Sequence, residues 1–213
     1  MSAAPIANRP SRAERSNGPQ QLRADLRVVA SLVKEGSRVL DLGCDDGSLL
    51  QLLIDQKGVT ARGVEITYEG VLACVGRGIP VDHADLDRGL GDYPDRSFDY
   101  VILSQTLQET RQPLKVLTDI LRVGRRAIVA FPNFGHWRVR VAHLASGRAP
   151  RTDLFPHEWY ASPNIHFLTV LDFEELARRE NWAIERRIFL AGHREVAMLP
   201  NLLAEVAVFL IRK

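Results

Sequence analysis

The residues best suited to chemistry surround a glycine turn in the first quarter of the chain. Residues 38–47, Arg-Val-Leu-Asp-Leu-Gly-Cys-Asp-Asp-Gly, run from an apolar strand through Asp41 into a turn that holds Gly43 and Gly47. A helix-like apolar run follows over residues 48–54. A strand, a tight turn and a helix N-terminus together present backbone N–H groups to a ligand, and glycines let that ligand approach closely. The pattern therefore predicts a pocket of nucleotide size.

Two carboxylates accompany this turn. Asp41 lies two residues before Gly43, at the end of the predicted strand, where it can meet a cationic group of a ligand. Glu65 closes a short strand over residues 61–65, and a carboxylate there is placed to accept from two vicinal ribose hydroxyls. The Gly-x-x-x-Gly spacing differs from the dinucleotide fingerprint, whose anionic pyrophosphate disfavours a nearby acid. The alternative interpretation is an ordinary strand-turn-helix connection with an aspartate that caps the helix.

The rest of the chain alternates strand and helix patterns. Leu22, Leu26, Val29 and Val33 form one apolar face of a helix over residues 20–34. Further strands are predicted at 81–85, 98–103 and 126–131, and further helices at 113–123, ended by Gly124, and at 172–180. Two final strand-like runs, 182–190 and 203–211, are joined without room for a helix and should pair antiparallel. The sequence thus predicts an α/β fold with a mostly parallel seven-stranded sheet, a C-terminal antiparallel hairpin and helices on both faces.

Composition sets wider bounds. The 213 residues, of which 46% are hydrophobic, suit one domain, predicted over residues 19–213 after a disordered tail at residues 1–18. A net charge of +2 with interspersed signs gives no basic face for nucleic acid or membrane. The two cysteines, Cys44 and Cys74, are expected to be buried thiols. We therefore expect a cytoplasmic protein without a membrane span.

Six segments together resemble the methionine biosynthesis protein MetW family, whose members are similar to class I methyltransferases that use S-adenosylmethionine (SAM). These segments are residues 39–47, 63–66, 85–87, 98–108, 131–137 (Phe-Pro-Asn-Phe-Gly-His-Trp) and 159–166 (Trp-Tyr-Ala-Ser-Pro-Asn-Ile-His). The first three are shared by many SAM-binding proteins, whereas the last two are specific to this family. The resemblance covers about residues 20–213 and implies a Rossmann-like class I methyltransferase fold.

This resemblance implies a site for SAM or S-adenosylhomocysteine (SAH). By the resemblance, Asp41 supports the loop or meets the amino-acid end of SAM. The implied cofactor-binding positions are Asp41, Gly43, Cys44, Asp45, Gly47, Glu65, Ile66, Asp85, Leu86 and Ser104. Asp45 stands where the family has glycine, and its side chain and negative charge are expected to weaken cofactor binding. The alternative for Asp45 is an outward orientation, in which it caps the following helix beside Asp46.

The resemblance also implies a function that needs a second protein. MetW-type proteins are associated with a homoserine O-acyltransferase of the α/β-hydrolase type, whose activity they support. This chain has no Gly-x-Ser-x-Gly nucleophile elbow of its own, which favours an accessory, activating subunit of an acetyl- or succinyl-transferring enzyme. The alternative is a SAM-dependent methyltransferase of a small molecule, with His136 or Glu109 as the base. No catalytic residue is assigned.

The segment 147–166 is the second place where function is expected. About 20 residues with three prolines and several aromatics are too long for a simple connection, which suggests a lid or a partner site. Trp159 and Tyr160 are typical interface anchors. The alternative is a loop that packs over the sheet edge by its own aromatics. His157, Glu158 and His166 match no standard ligand spacing, so no metal is predicted.

Overall fold

The computed structural model of the chain describes residues 23–213, and its strands form one eight-stranded sheet. In chain order the strands are β1 (Arg38–Leu42), β2 (Thr60–Glu65), β3 (Val81–His83), β4 (Phe98–Ser104), β5 (Gly124–Pro132), β6 (Ala183–Ala191), β7 (Arg194–Glu195) and β8 (Val206–Arg212). The α-helices are α1 (Ala24–Leu32), α2 (Ser48–Lys57), α3 (Tyr68–Gly76), α4 (Pro113–Val123), α5 (Trp137–Ser146), α6 (Val170–Arg179) and α7 (Pro200–Leu203). Single 3-10 turns lie at Leu86–Arg88 and Leu107–Glu109.

The order of the strands creates a crevice at the carboxyl ends of the central strands. The sheet runs β3-β2-β1-β4-β5-β8-β6-β7, with β1 to β5 parallel and β8 antiparallel to both β5 and β6. After β1 the chain adds β2 and β3 on one side of β1, and it then crosses back to add β4 on the other side of β1. Such a reversal is the point in an open parallel sheet where ligands bind, beyond the carboxyl ends of the strands.

Alternating side chains on the strands build two core layers, one on each face of the sheet. Leu40 and Leu42 of β1 belong to the layer that contains the buried residues of α4 and α6. Val39, on the opposite face of the same strand, packs in the layer that holds α1, α2 and α3. This alternation is the period of two that a strand with both faces covered must show. Asp41 and Ser104 share the face of Val39, so their side chains lie on the side of α1 and α2.

Most of the predicted elements are confirmed, with shifts of one to four residues at their ends. Helix α4 begins and ends at the predicted residues, since Pro113 suits the first turn and Gly124 follows the last. The predicted helix at 20–34 is described over Ala24–Leu32. The predicted tail at residues 1–18 and the start of the domain at residue 19 lie outside the described residues.

The C-terminal region differs from the prediction in two details. The sheet has eight strands rather than seven, because a two-residue strand, β7, folds back on β6 through a turn at Gly192 with φ +58°. The connection to β8 also contains the one-turn helix α7, which begins at Pro200. Leu203 therefore ends a helix and does not begin a strand. Strands β6 and β8 nevertheless pair antiparallel as predicted.

No helix within residues 23–213 is long and apolar enough to cross a membrane. The chain from Gly147 to the start of α6 contains turns and bends but neither helix nor strand, as the composition of residues 147–166 suggested.

Candidate cofactor site

A small crevice opens at the carboxyl ends of β1 and β4, where the topology predicts a ligand. Five of the predicted site residues line it, namely Asp41, Gly43, Cys44, Asp45 and Ser104. The other lining residues are Arg23 and Leu26 from the region of α1, and Asp46, Ser48 and Leu49 from the start of α2. The structure thus brings the residues of the glycine turn together with the end of β4.

The glycines of the turn are required by both backbone conformation and space. Gly43 has φ +73°, and a Cβ at this position would lie 2.6 Å from Oγ1 of Thr106. Gly47 has φ +75°, and a Cβ there would lie 2.9 Å from Sγ of Cys74. Left-handed backbone conformation is unfavourable for residues with a Cβ. The backbone N–H of Gly43 donates to the carbonyl of Val64 at 2.8 Å, which ties the turn to β2.

The carboxylate of Glu65 holds the turn in place. Its Oε2 accepts from the backbone N–H of Asp45 at 3.0 Å, and its Oε1 accepts from both the N–H and the hydroxyl of Thr67 at 2.8 Å. The residue is 6% exposed. A carboxylate has about four lone-pair sites, and three are used here. Glu65 can therefore accept one further hydrogen bond at Oε2, while a second ribose hydroxyl would have to replace a bond within the protein.

Asp45 and Asp46 have different roles in the turn. Asp45 has φ +52°, a left-handed conformation, at the position where the resemblance implied glycine, and the residue lines the crevice. Asp46 accepts from the N–H of Ser48 at 3.0 Å at the start of α2. It also forms an ion pair with Arg77 at 2.9 Å. The capping carboxylate in this structure is thus that of Asp46.

One polar cluster at the mouth of the crevice was not predicted. Arg23 donates two hydrogen bonds to Asp25, at 3.1 and 2.7 Å, and Nε2 of Gln105 donates to the same carboxylate at 3.3 Å. Asp25 is 6% exposed. This cluster links α1 to the turn after β4. A signal exists in the sequence, because Asp25 lies three residues after Leu22, among the apolar residues of a helical face.

Five predicted positions do not line the crevice. Gly47 lies in the turn and Glu65 ends β2, while Ile66, Asp85 and Leu86 follow the ends of β2 and β3. Asp85 accepts from the N–H of Asp87 at 2.9 Å and caps the 3-10 turn that begins at Leu86. Ile66 is 46% exposed. Its carbonyl is 2.9 Å from Nε2 of His83.

Neither conceivable base of the methyltransferase alternative lines the crevice. His136 is the N-cap of α5, where its Nδ1 accepts from the N–H of Arg138 at 3.4 Å. Burial lowers the pKa of His136 below its ordinary value of 6.5, with a smaller opposing effect of Glu205 and a smaller supporting effect of Arg138. Glu109 ends the 3-10 turn after β4. The geometry of His136 is that of a helix cap.

The segment 147–166 combines a packed part with an exposed part. Phe155 is buried and meets the ring of Phe134 edge-to-face, with the ring centroids 5.3 Å apart. Trp159 and Tyr160 contact each other edge-to-face at 5.7 Å and are 76% and 73% exposed. The packing interpretation therefore holds at Phe155, which anchors the loop to the domain, while Trp159 and Tyr160 are exposed to solvent.

The same segment is attached to the turn after β4. The backbone carbonyl of Gln108 accepts from the N–H groups of Ile165 and His166, at 2.8 and 3.0 Å. Glu158 forms an ion pair with Arg151 at 2.6 Å. Within residues 23–213, no group of three or more histidine, cysteine or acidic side chains is arranged to hold a metal ion.

Residues 131–137, another segment on which the resemblance rests, form a structural junction. Asn133 is fully buried, and its Nδ2 donates to the carbonyls of Asn201 and Ala204 at 3.1 and 2.8 Å. Its Oδ1 accepts from the N–H of Gly135 at 3.0 Å and from that of Val170 at 3.3 Å. One amide side chain thus joins the end of β5 to α6 and to the α7 region.

The sequence of this chain matches one family of known proteins. The sequence model of the family "Methionine biosynthesis protein MetW" matches residues 23–211. The bifunctional methionine biosynthesis protein MetXA/MetW of Rhodopirellula baltica is 37% identical over 200 residues, which cover 88% of this chain and 32% of the relative. The chain thus spans about a third of the length of that relative.

Solved structures with low sequence identity share the fold. A SAM-dependent methyltransferase of Thermotoga maritima superposes with a TM-score of 0.64 at 17% identity, covering 89% of this chain and 87% of that one. The cyclase SpnF superposes with a TM-score of 0.61 at 18% identity, covering 89% and 80%. The architecture is therefore the class I methyltransferase fold, and proteins described as a methyltransferase and as a cyclase both have it.

Proposed function

Because the chain belongs to the methionine biosynthesis protein MetW family, we propose that it is a SAM-binding accessory subunit that activates a homoserine O-acyltransferase of the α/β-hydrolase type. The observation that carries this proposal is the relative in which MetXA and MetW are parts of one polypeptide. Two functions that are fused in one organism commonly act together as separate chains in another. The absence of a Gly-x-Ser-x-Gly elbow in this sequence is consistent with acyl transfer on the partner's nucleophile.

We assign the amino-acid end of SAM to the crevice. The carboxylates of Asp41 and Asp46 line it, and they would attract the positive sulfonium and ammonium groups of SAM. Asp41 is 3% exposed, so its interaction with a cation is only weakly screened by solvent. Glu65, with one open lone-pair site, would accept a ribose hydroxyl from the side of β2. SAH lacks the sulfonium charge and would bind the same crevice with less electrostatic attraction.

The turn after β4 provides a physical link between the crevice and an exposed surface. Ser104 lines the crevice, and Oγ1 of Thr106 occupies the space beside Gly43. Two residues later, the carbonyl of Gln108 holds the end of the 147–166 segment through Ile165 and His166. A ligand that shifts this turn would also shift the exposed segment. Allosteric coupling requires such an element that contacts both sites.

The surface that we assign to the partner is centred on Trp159 and Tyr160. Large exposed aromatic side chains are the residue types that supply most of the binding free energy at protein interfaces. Phe155 fixes the base of the loop, so the two aromatics project from an anchored segment and lose less conformational freedom on binding.

Methyl transfer to a small molecule is less well supported. His136 serves as a helix cap, and neither His136 nor Glu109, the two bases considered for that reaction, lines the crevice. The shared fold does not decide the matter, since function depends on the site and not on the fold.

The partner surface is tested by replacing Trp159 with alanine. We expect Trp159→Ala to weaken binding to the homoserine O-acyltransferase by more than about fivefold, the loss of a hot spot worth over about 1 kcal/mol. The dissociation constant is measured by calorimetry with the purified enzyme. Tyr68→Ala is the matched control, because Tyr68 is also an exposed aromatic, at 63%, but lies on α3.

Two outcomes would contradict different parts of the proposal. If wild-type protein binds and Trp159→Ala binds equally well, the surface is wrong while the accessory function stands. If the wild-type protein forms no complex with the enzyme at any concentration tested, the accessory function itself is wrong.

A further inference from the structure

The fold brings the two cysteines of the chain together beside the crevice. Cys44 lies in the glycine turn and Cys74 in α3, thirty positions later, yet their Sγ atoms are 3.7 Å apart. Both are free thiols and buried. The sequence analysis expected two buried thiols, but it contained no signal that they would touch.

Two glycines make room for this sulfur pair. A Cβ at Gly63 of β2 would lie 2.5 Å from Sγ of Cys44, and a Cβ at Gly47 would lie 2.9 Å from Sγ of Cys74. Distances this short are incompatible with any side chain unless the sulfurs move. The sulfur of Cys74 also lies 3.5 Å from the carbonyl oxygen of Asp45, within the turn itself. The sulfur pair therefore packs against the backbone of the turn that lines the crevice.

The two thiols have unequal acidity. The hydrogen bond to Cys74, burial and the charge of Asp41 raise the pKa of Cys44, whereas the same hydrogen bond lowers the pKa of Cys74. A thiolate is the reactive form of cysteine, so Cys74 is the sulfur that ionises first. Cys44 lines the crevice and Cys74 is fully buried, so a small oxidant in the crevice must pass the side chain of Cys44 to reach the Cys74 sulfur.

We propose that Cys44 and Cys74 form a reversible redox modification site, at which an oxidant of the peroxide class joins the two sulfurs as a disulfide. The Cys74 thiolate attacks one oxygen of hydrogen peroxide, its sulfur is oxidised to a sulfenic acid, and the other oxygen leaves as water after protonation. The Cys44 thiol then attacks this sulfur and displaces the second oxygen as water. Two thiols and one peroxide thus give one disulfide and two waters, and a dithiol reverses the reaction.

The cross-link would change the cofactor crevice. The sulfurs, now 3.7 Å apart, must approach to about 2.05 Å, which moves Cys44 and α3 towards each other. Cys44 is followed by Asp45, whose N–H is held by Glu65, so the displacement is transmitted to the turn. In a reducing compartment such a disulfide forms only transiently, as is typical of redox-sensing pairs. This inference does not depend on the accessory function proposed above.

The test uses the reduced, full-length protein treated with a small molar excess of hydrogen peroxide. The expected product is a monomer lighter by two hydrogen atoms in intact mass spectrometry, with both thiols lost to a thiol reagent under denaturing conditions. A peptide that joins the Cys44 and Cys74 segments should appear without reductant, and dithiothreitol should restore the starting mass.

Single-cysteine variants provide the matched controls. Cys44→Ser and Cys44→Ala should form no internal cross-link and should gain oxygen atoms at Cys74 instead. The hydroxyl introduced by Cys44→Ser can still donate a hydrogen bond to the Cys74 thiolate, whereas the methyl group introduced by Cys44→Ala cannot. Cys44→Ser should therefore react with peroxide severalfold faster than Cys44→Ala. The proposal is overturned if wild-type protein keeps both thiols, gains oxygen without a cross-link, or forms only disulfides between molecules.

Discussion

At Asp45 the glycine turn carries a side chain where its backbone conformation favours glycine. A φ of +52° costs a residue with a Cβ about 1 kcal/mol or more, although aspartate tolerates it better than most. The negative charge also lies in a crevice that Asp41 and Asp46 already make acidic. The carboxylate of SAM would be repelled there. Asp45 therefore carries two separable costs, one in folding stability from its backbone conformation and one in ligand affinity from its charge.

We predict that Asp45→Gly raises the free energy of unfolding by about 1 kcal/mol and tightens SAM binding by up to about tenfold, equal to about 1.4 kcal/mol. Urea denaturation measures the first quantity and isothermal titration calorimetry the second. Asp45→Asn is the matched control, since it removes the charge but keeps a residue that accepts this φ. It should reproduce the gain in affinity and not the gain in stability.

Unchanged or weaker affinity in both variants would show that the Asp45 charge does not oppose the ligand. An absence of binding heat with SAM and SAH at millimolar concentration, for folded wild-type protein, would contradict the cofactor assignment as a whole.

His136 links stability to pH. Because burial holds its pKa in the folded state below 6.5, the unfolded chain takes up the proton first as the pH falls. The stability that the neutral, buried imidazole provides is complete above its ordinary pKa and is lost as the pH falls below about 6.5, by at most about 1.4 kcal/mol per pH unit.

We predict that His136→Asn flattens this pH dependence between about pH 7 and 5 while it keeps the cap of α5, since asparagine is a preferred N-cap residue. The measurement is the free energy of unfolding in urea at several pH values. His193→Asn, which changes an exposed histidine, is measured in the same way as the matched control. Equal slopes for wild type and His136→Asn would refute the role of this histidine.

At the scale of elements, the start of α3 is packed against the glycine turn without space for a methyl group. A Cβ at Gly70 would lie 2.7 Å from Cγ of Glu65 and 2.8 Å from the carbonyl of Asp45. Gly76, at the end of the same helix, has no heavy atom within 4 Å of the corresponding position. Helix α3 thus contains one glycine, Gly70, without space for a side chain and one glycine, Gly76, with space for it.

Gly70→Ala should lower the free energy of unfolding by about 1 to 3 kcal/mol, because the added methyl group would push α3 away from Glu65 and from the turn. Gly76→Ala should be neutral or raise it by up to about 1 kcal/mol through helix propensity. Urea denaturation of both variants checks the pair. If Gly70→Ala is as stable as Gly76→Ala, the close contact between α3 and the turn is not present in solution.

The elements were largely predictable because their patterns are local. The turn from Gly43 to Gly47 and the acid Asp41 follow from spacing along one segment, and the switch-point rule places them beside β4. The polar contact of Asp25 with Gln105 could not be derived, since the two residues lie eighty positions apart in sequence. The contact between the two cysteines is likewise a product of tertiary packing.

The hydrogen-bond partners of Glu65 also could not be predicted from the sequence. Its position at the end of β2 predicts a ribose acceptor, but only the structure reveals that the N–H of Asp45 and the two donors of Thr67 occupy its oxygens. An acid at a strand end can serve the ligand or the loop, and the choice depends on donors from other elements.

At the scale of the whole molecule, the chain joins an acidic crevice to an exposed aromatic surface through one short turn. The crevice at Ser104 and the carbonyl of Gln108 are four residues apart. This proximity would let ligand occupancy alter the partner surface, a coupling that is commonly worth about 1 to 3 kcal/mol. The fused relative from Rhodopirellula baltica is consistent with such a partnership.

The most direct test of the account is a titration of the purified homoserine O-acyltransferase with this protein, with acyl transfer to homoserine as the readout and with SAM absent or saturating. We predict that activity rises with the amount of added protein to a plateau at a fixed molar ratio. SAM should change the amount needed for half-maximal activity by about fivefold or more. The account is contradicted if the enzyme neither binds the protein nor changes its rate under either condition.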